Sequence, residues 1–439
     1  MSTELKHFLA EYGNGDGVFY LGHAGILAVL NGRKILFDPI VESQPYGDSW
    51  VFYPPQVDDA LLYDVDAVVV SHIHQDHYDK RFLRKLKPSV KIVIVGGRPS
   101  FIADITAKVS HDVTVIAPET VTQLFDGVHL YGVIHESNGI DASMIAYSER
   151  FCVYHGNDNY LQPASMTKFT QVGRAIDVAC IPYAYIHWYP FLMEYPAGQE
   201  HEKEAEAERL VNVYMDDCVN VIGILQPKVV IPFGANLLID DGNMHSDINM
   251  AVRTPIEFVD YARARLPAEQ RDVVKPMLAG DYCGLDGDAL RITIAHEFSA
   301  DEYRAAADSF LQARPPKTPR AGAANVDLEA FLATVNARLQ DSALVDAQRK
   351  PVDNLLQFEL QGEHGVLRVE VDCLDYRARI VDAFTEGRPL HRFRLDAVSS
   401  AEWLSGKRFE TIIGMRRFTL LRQPNLYLPD VLKIANTVI

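Results

Sequence analysis

The sequence predicts an α/β protein in which the strands of layered sheets alternate with short helices. Short apolar runs recur along the first three hundred positions, each bounded by turn-forming residues. Helix-like segments stand between several of these runs, an alternation typical of α/β layering. The predicted strands are 18–21, 26–30, 34–37, 67–70, 91–95, 113–116, 128–134, 144–147, 151–154, 177–181, 226–232 and 289–294.

A hairpin is predicted near the start of the chain, because Asn31-Gly32 separates two apolar runs. Asn-Gly between apolar runs is a strong signal for a two-residue hairpin turn. The second run ends at Asp38, an acidic residue placed to support a later histidine loop by accepting an imidazole N–H. His23 stands among small residues, and its pattern fits a buried structural histidine as well as a metal-supporting or substrate-contacting group.

The strongest chemical signal is the stretch Ser71–His77, which holds three histidines and one aspartate directly after the apolar run Ala67–Val70. Such a run predicts a buried strand, so the cluster lies where that strand ends. Imidazole and carboxylate are common metal ligands. The alternative is a set of solvated loop histidines, which the density of the cluster disfavours. The stretch therefore predicts a metal site.

Other metal-ligating residue types follow later predicted strands in the same way. His135 follows the strand 128–134, and Asp158 follows 151–154. Beyond the strand 226–232 the chain reads Phe233–Asn236, and His245 comes nine residues later. Individually, His135 is also typical of a surface histidine and Asp158 of a turn residue. The repeated placement is the useful signal.

An aromatic loop after the strand 177–181 is a candidate substrate wall, because binding pockets combine apolar surface with a few hydroxyls. Its residues are Tyr183, Tyr185, His187 and Trp188. The segment 44–55, rich in aromatic residues and proline, predicts an ordered loop over a pocket. Packing into the core is the alternative for both segments. A helix over 200–223 has the pattern of a solvated amphipathic helix.

Composition excludes several classes of partner. The chain has 439 residues and a formal net charge of −17, which argues against nucleic acid or an anionic membrane surface as the main target. No apolar run approaches the length of a membrane span, and the first residues lack a signal-peptide pattern. Five scattered cysteines form no C-x-x-C pair. We therefore expect reduced thiols and a cytoplasmic location.

Three regions are expected along the chain. Residues 1–300 carry all the candidate ligands and form the predicted catalytic domain. The proline- and charge-rich stretch within 301–325 predicts a linker or wrapping segment. Residues 326–439 predict a C-terminal α/β accessory region without a metal motif, which packs against the catalytic domain and shapes the pocket. Binding of an electron-donor protein is the alternative role for this region.

The spacing of the candidate ligands resembles that of the metallo-β-lactamase fold superfamily. The residues that carry the resemblance are Asp38, the motif His72-x-His74-x-Asp76-His77, His135 and Asp158. The resemblance implies an αββα sandwich with a metal pair at one edge. It implies that one ion is held by His72, His74 and His135. It implies that the other is held by Asp76, His77 and a last histidine, with Asp158 between the two ions.

One departure from the superfamily pattern points to a narrower resemblance. Many members place the last histidine directly after the strand that corresponds here to 229–232, where this chain has Phe233–Asn236. The chain is similar here to the catalytic portion of the CMP-N-acetylneuraminate hydroxylase family, in which a Pro-Phe strand end leads to a His-x-Ser-Asp-like element. The matching residues are Pro232-Phe233 and His245-Ser246-Asp247. His245 is therefore the expected last ligand.

Weaker similarity to that family extends over most of the chain, at 37–39, 127–128, 135–136 and 422–427. The family also carries a Rieske iron–sulfur domain with cysteine and histidine pairs. This sequence shows no such pairs, so neither the complete hydroxylase nor a CMP-sugar substrate is expected.

Two metal ions are the expected cofactors, with iron favoured and zinc or manganese as alternatives. The leading hypothesis is an oxidoreductase, a non-haem dinuclear iron oxygenase that oxidises a small molecule with O2. An electron-donor protein is a candidate partner, and the sequence does not identify the electron source. The alternative is a dinuclear metal-dependent hydrolase acting on a phosphodiester, lactone or ester. A scaffold with a relic metal site is a third reading, which the full ligand set disfavours. The expected catalytic residues are Asp76, Asp158 and His245.

Overall fold

A computed structural model describes most of the chain. The described residues are 3–96, 113–136, 139–158, 162–195, 198–240, 246–295, 297–318, 327–341, 351–362, 365–407 and 409–438. The strands are β1 (Gly17–Gly22), β2 (Gly25–Leu30), β3 (Arg33–Phe37), β4 (Trp50–Phe52), β5 (Ala67–Val70), β6 (Lys91–Val95), β7 (Val113–Ile116), β8 (Thr122–Phe125), β9 (Val128–Ile134), β10 (Ala142–Tyr147), β11 (Cys152–His155), β12 (Val178–Pro182), β13 (Met193–Glu194), β14 (Val229–Phe233), β15 (Leu237–Ile239), β16 (Tyr282–Asp286), β17 (Ala289–Thr293), β18 (Leu355–Gly362), β19 (Gly365–Asp372), β20 (Arg377–Ile380), β21 (Leu390–Leu395) and β22 (Phe418–Gln423).

Helices connect and cover these strands. They are Thr3–Tyr12, the kinked turn Pro45–Asp48, Lys80–Lys85, Pro163–Gln171, Glu200–Leu225, Asp247–Ala251, Pro255–Arg265, Ala300–Gln312, Leu328–Gln340, Ala397–Leu404, Phe409–Gly414 and Pro429–Thr437, with 3₁₀ turns at Ala60–Tyr63 and Ala268–Gln270. The long amphipathic helix and the Asn31-Gly32 hairpin are present where the sequence predicts them.

Two sheets face each other in the first three hundred residues. One has the strand order β17-β16-β1-β2-β3-β5-β6-β7, and the other has the order β14-β12-β11-β10-β9-β8. Their inner faces share one apolar core, in which Ile26 and Val69 of the first sheet meet Met144 and Ile231 of the second. Alternate residues of each strand point outward, as the two-residue period of a strand requires.

Helices cover both outer faces. On the first sheet, Phe8 and Phe82 of two short helices pack against outward-facing strand residues. On the second sheet, Phe169, Met215 and Phe258 of three helices form the other outer layer. The αββα sandwich expected from the resemblance is confirmed.

The strand directions bring the predicted ligand segments to one edge of the sandwich. Strands β3 and β5 are parallel, so the residues after both leave the first sheet at the same edge. In the second sheet β11, β12 and β14 are parallel, and β9 runs the same way because β10 is antiparallel to both β9 and β11. The carboxyl ends of parallel strands are a common place for functional residues.

A third sheet contains most of the C-terminal strands, in the order β13-β22-β21-β18-β19-β20. Its core includes Phe358, Phe393 and Trp403. The edge strand β13 comes from the first three hundred residues, and Met193 pairs with Leu420 of β22. The C-terminal α/β region and the sandwich are thus joined through a shared sheet.

Residues 301–325 include most of the helix Ala300–Gln312, which begins with a capping box between Ser299 and Glu302. The Tyr303 hydroxyl donates to the Tyr53 carbonyl at 2.6 Å, and Leu311 packs in a small core beside strands β4 and β15. This part of the expected linker or wrapping segment is a helix packed on the sandwich.

Among the described residues, no helix is both long enough and apolar enough to cross a membrane.

Candidate metal centre

Asp38 holds the histidine loop in place at the end of β3. Its backbone has a positive φ of 41°, and its side chain is fully buried. The carboxylate accepts from the Ser71 backbone N–H at 2.7 Å and from the Ser71 hydroxyl at 2.5 Å. Asp38 Oδ2 also lies 2.8 Å from His77 Nδ1. The expectation that Asp38 supports the loop through an imidazole N–H is confirmed, and the bond leaves Nε2 of His77 for a different partner.

One group of candidate metal ligands contains His72, His77 and Asp158, whose ligand atoms lie within 4.8 Å of one another. Asp158 Oδ1 lies 3.7 Å from His72 Nε2, and Asp158 Oδ2 lies 3.6 Å from His77 Nε2. The two carboxylate oxygens therefore face two different histidines. A carboxylate placed in this way is suited to lie between two ions.

A second group contains His23, Asp76 and His77. Asp76 Oδ2 lies 3.1 Å from His23 Nε2 and 3.7 Å from His77 Nε2. All three side chains are buried. His23, which the sequence left open between a structural and a site role, lies in this group.

The backbone of His23 explains how its ring reaches the site. His23 has a positive φ of 47°, and its carbonyl accepts from the Tyr20 hydroxyl at 2.8 Å and from the Gly234 N–H at 2.7 Å. Gly234 follows β14, where many superfamily members carry their last histidine. In this chain Gly234, just after β14, donates a hydrogen bond to the backbone of His23. The imidazole in this part of the site therefore comes from the β1–β2 turn.

The other expected ligands differ in placement. His74 is exposed, and its Nδ1 lies 2.8 Å from His72 Nε2, next to the first group. His135 belongs to neither group of described residues, although its backbone N–H donates to the carbonyl of the cavity-lining Asp141 at 2.7 Å. His245 lies outside the described residues. The metal-ligand roles of these three histidines stay predictions.

The neighbouring imidazoles lower the pKa of both acids of the cluster, Asp158 and Asp76. Burial alone would raise the pKa of Asp158, but the nearby imidazoles of His72 and His77 lower it well below its usual range. Burial would also lower the pKa of His77, but the carboxylates of Asp158 and Asp76 raise it well above its usual range. Burial, together with the charge of His77, lowers the pKa of His72 to about 4. His72 is therefore neutral at pH 7, the form in which imidazole binds metals.

An unpaired atom shows that these residues fit a metal ion. His77 Nε2 is buried without a hydrogen-bond partner among the described residues, although it faces oxygens of Asp76 and Asp158. A buried polar atom without a partner is costly. A cation among these atoms would satisfy it. The donors are imidazole and carboxylate, a set that suits iron, zinc and manganese.

The cluster opens into a cavity of about 820 Å³. His23, His72, His74, Asp76 and Asp158 line one part of it. Cavities of this size accommodate small-molecule ligands.

Half of the predicted aromatic wall lines this cavity. Tyr185 and His187 do so, but Tyr183 and Trp188 do not. The Tyr183 hydroxyl donates to the Arg253 carbonyl at 2.7 Å and its ring is fully buried, whereas Trp188 packs in the core of the C-terminal sheet. For Tyr183 and Trp188 the substrate-wall interpretation is replaced by core packing.

Several cavity residues lie outside the predicted ligand set and the predicted aromatic wall. Tyr46, in the expected pocket loop, donates its hydroxyl to Asp76 Oδ1 at 3.2 Å. Tyr214 comes from the long helix, while Thr411 and Arg416 come from the C-terminal region. Only the aromatic composition of the segment 44–55 signalled Tyr46 in advance. The others come from distant segments with no motif.

A family model agrees with this geometry. Residues 17–234 match the model described as a beta-lactamase superfamily domain. These residues form a metallo-β-lactamase superfamily domain. The matched segment begins with strand β1 and ends just after β14, so it contains both facing sheets except β16 and β17.

Two curated relatives align with parts of this superfamily chain. One, from Mycolicibacterium smegmatis, is named as a Rieske 2Fe-2S iron–sulfur protein and is 29% identical over 231 residues, which are 48% of this chain and 42% of that protein. Another, from Sulfolobus acidocaldarius, is named a UPF0173 metal-dependent hydrolase and is 28% identical over 148 residues, which are 32% of this chain and 61% of that protein. The chain thus spans less than two thirds of either relative.

Solved structures similar to this chain include a metallo hydrolase and a hydroxylase. Igni18, a metallo hydrolase from Ignicoccus hospitalis, has a TM-score of 0.42 at 18% identity over 62% of this chain and 98% of its own. CmlA, a diiron beta-hydroxylase from Streptomyces venezuelae, has a TM-score of 0.42 at 14% identity over 62% of this chain and 54% of its own.

Proposed function

We propose that this protein is a dinuclear metal enzyme, a non-haem iron oxygenase that oxidises a small molecule with O2. The observation that carries the proposal is the orientation of Asp158, which turns one oxygen to His72 and the other to His77. An imidazole nitrogen binds one ion, so His77 would bind the same ion as His23 and Asp76. His72 then forms the other site, together with the adjacent His74.

The chain's own residues hold this arrangement. Asp38 fixes the orientation of His77, and the Ser71 hydroxyl lies 3.0 Å from His72 Nδ1. The Tyr46 hydroxyl contacts the Asp76 oxygen that does not face His23. Such supporting contacts orient metal ligands and tune the metal. A bound iron pair supplies electrons for the reduction of O2, whereas a zinc pair supplies Lewis acidity for hydrolysis.

Support for the oxygenase comes from the alignment, and the donors are compatible with it. The alignment with the relative named for a Rieske iron–sulfur protein covers 231 residues, against 148 for the relative named as a hydrolase. Neither described ligand group contains a cysteine. Histidine and carboxylate donors suit non-haem iron. The proposal includes a separate electron-donor protein as a partner.

A dinuclear hydrolase is the second candidate. It is favoured by the match to a protein named as a metal-dependent hydrolase. The same ligand groups suit zinc or manganese, and a phosphodiester, a lactone or an ester would then be the substrate.

Metal analysis combined with two activity assays separates the candidates. Protein expressed without added metal is examined for iron, zinc and manganese, and then assayed for reductant-dependent O2 consumption and for hydrolysis of bis-p-nitrophenyl phosphate and a lactone. Iron with O2 consumption supports the oxygenase. Zinc alone, without O2 consumption under any reductant, rejects it, and hydrolysis then supports the second candidate.

A pair of variants ties either activity to the metal centre. His74→Ala should abolish the activity, because His74 lies beside His72 at the cavity. His7→Ala is the matched control, since His7 is exposed on the helix Thr3–Tyr12. Equal activity in both variants would remove His74 from the proposal.

The proposed location is the cytoplasm. All five cysteines are buried and free. Burial raises the pKa of Cys152 and of Cys283 to about 12, so these thiols stay protonated. Protonated buried thiols are compatible with a reducing compartment.

A further inference from the structure

Arg416 brings a positive charge from the C-terminal region into the cavity. It follows the helix Phe409–Gly414 and lines the cavity that also contains Asp76 and Asp158. Its guanidinium lies 5.8 Å from the centre of the Trp50 ring. The sequence of the C-terminal region contains no ligand motif, so this contribution to the cavity depends on the fold alone.

The guanidinium of Arg416 has unused hydrogen-bonding capacity. Its Nε atom is buried and has no hydrogen-bond partner among the described residues. Nη1 donates to the Ile413 carbonyl at 3.1 Å. No carboxylate of the described part of the chain forms an ion pair with it. The next residue, Arg417, differs, because its guanidinium binds Asp396 at 2.6 Å and donates to the Asp240 carbonyl at 2.7 Å.

Local packing fixes the position of Arg416. The Trp50 indole N–H donates to the Gly414 carbonyl at 2.7 Å, and a Cβ on Gly414 would lie 2.1 Å from the Tyr46 ring. Arg416 itself has a positive φ of 58°, a conformation that side-chain-bearing residues seldom adopt. Strained residues of this kind are frequent at binding sites.

Arg416 is ionised, and it forms no ion pair with a carboxylate of the described residues. Burial lowers the pKa of Arg416 to about 10, so it remains charged at neutral pH. Burial and the charge of Arg416 lower the pKa of His187 to about 4, which keeps that ring neutral. Asp76 is already engaged by His23 and Tyr46. A buried charge without a partner is unfavourable, and an incoming anion would relieve this cost.

We propose that Arg416 binds the carboxylate or phosphate group of a small-molecule substrate. Guanidinium presents a planar fork of donors that matches either anion. Tyr46, Trp50 and Tyr185 line the same cavity and supply an apolar wall for the rest of the molecule. The orientation of the reacting part toward the histidine and aspartate cluster rests on the proposed function. The binding of the anion to Arg416 is independent of the proposed function.

Calorimetric titration of the full-length protein tests this without turnover. The probes are benzoate, phenyl phosphate and the neutral benzamide, in phosphate-free buffer at constant low ionic strength, with metal content measured for every sample. Arg416→Met should weaken binding of at least one anionic probe by about tenfold to a hundredfold and leave benzamide binding unchanged. A larger effect on phenyl phosphate identifies phosphate as the group, and a larger effect on benzoate identifies carboxylate.

Three further variants separate specific binding from general effects. Arg416→Lys keeps the charge but loses the planar fork, so it should bind the anions with intermediate affinity. Arg416→Gly removes the guanidinium and relieves the positive φ, which keeps the test available if Arg416→Met fails to fold. Arg291→Met is the control, because Arg291 pairs with Glu11 at the surface and is 58% exposed. It should bind like the wild type.

The outcomes distinguish this inference from the proposed function. Equal anion affinities in the wild type, Arg416→Met and Arg416→Gly overturn the inference, whatever the metal or activity. Loss of anion binding in both variants, at unchanged metal content, supports it even if neither O2 consumption nor hydrolysis is found.

Discussion

Asp38 Oδ2 lies 2.8 Å from His77 Nδ1, and this contact directs Nε2 of the same ring toward Asp76 and Asp158. Asp38 comes from the end of β3 and His77 from the loop after β5, two parallel neighbours in one sheet. The orientation of a candidate ligand is therefore set by the sandwich itself.

Asp38→Asn should weaken metal binding by about tenfold to a hundredfold, because loss of a carboxylate partner lowers the basicity and orientation of a ligating histidine. The measurement is titration with a competing chelator, with circular dichroism to show that the fold persists. Asp66→Asn is the control, since Asp66 pairs with Arg33 near the opposite end of β5. Unchanged metal affinity in Asp38→Asn would show that His77 does not bind the metal through this orientation.

His23 and His245 are competing candidates for the histidine of the second site. If His23 is the ligand, His23→Ala should leave roughly half of the metal bound, because one of two sites loses a ligand. If His245 is the ligand, as the sequence predicts, His245→Ala should do so instead. Metal stoichiometry by elemental analysis decides between them. Full stoichiometry in both variants would contradict both assignments.

Gly414→Ala should disturb the cavity. The added Cβ would lie 2.1 Å from the Tyr46 ring, so the ring must move, and its hydroxyl would lose Asp76. We expect a free energy of unfolding lower by about 1–3 kcal/mol and weaker substrate binding. Gly223→Ala is the matched control, since Gly223 lies in the long helix and a Cβ added there would meet no neighbouring side chain or strand within 4 Å. This variant should raise the free energy of unfolding by about 0.5–1 kcal/mol. Urea unfolding checks both values, and equal stabilities would contradict the clash.

Glu370 should make the stability of the C-terminal sheet depend on pH. Burial would raise its pKa, but hydrogen bonds from Arg379, Thr385 and Gln357 lower it below the usual value of 4.5. The ionised form is therefore stabilising above about pH 4.5, and this contribution is lost as the pH falls through the lowered pKa. Glu370→Gln should lower the free energy of unfolding by about 1–3 kcal/mol at pH 7 and by less at pH 3.5.

Urea unfolding of Glu370→Gln at the two pH values tests this sign. Glu204→Gln on the exposed face of the long helix is the control, with an expected change within about 0.5 kcal/mol. A destabilisation of Glu370→Gln that is larger at pH 3.5 than at pH 7 would contradict the assignment.

The sequence was most informative where signals are contiguous. The run Ala67–Val70 and the ligands that follow it lie within one strand and one loop, so local patterning located both. The support from Asp38 was also predictable, because an acidic residue at the end of a predicted strand can accept the N–H of a ligating imidazole. These features depend on short-range rules that one sequence contains.

The rest of the site depends on long-range packing. His23 reaches the cluster because the end of β14 binds its backbone, and Arg416 reaches the cavity through contacts with Trp50 and its neighbours. Tyr183 packs against Phe258, and Trp188 packs against the C-terminal sheet. Both partners lie far along the chain, so the sequence around the two residues does not reveal this packing. No local periodicity encodes such contacts.

The pairing of β13 with β22 limits how this protein can be re-engineered. The segment that follows the cavity-lining Tyr185 continues to Met193, which lies opposite Leu420 in the C-terminal sheet, and the Leu420 N–H donates to the Leu192 carbonyl at 2.9 Å. Grafting the C-terminal region of a relative onto this chain would therefore also replace the edge to which that loop is anchored. A chimaera that keeps its selectivity would need to exchange the loop and the sheet together.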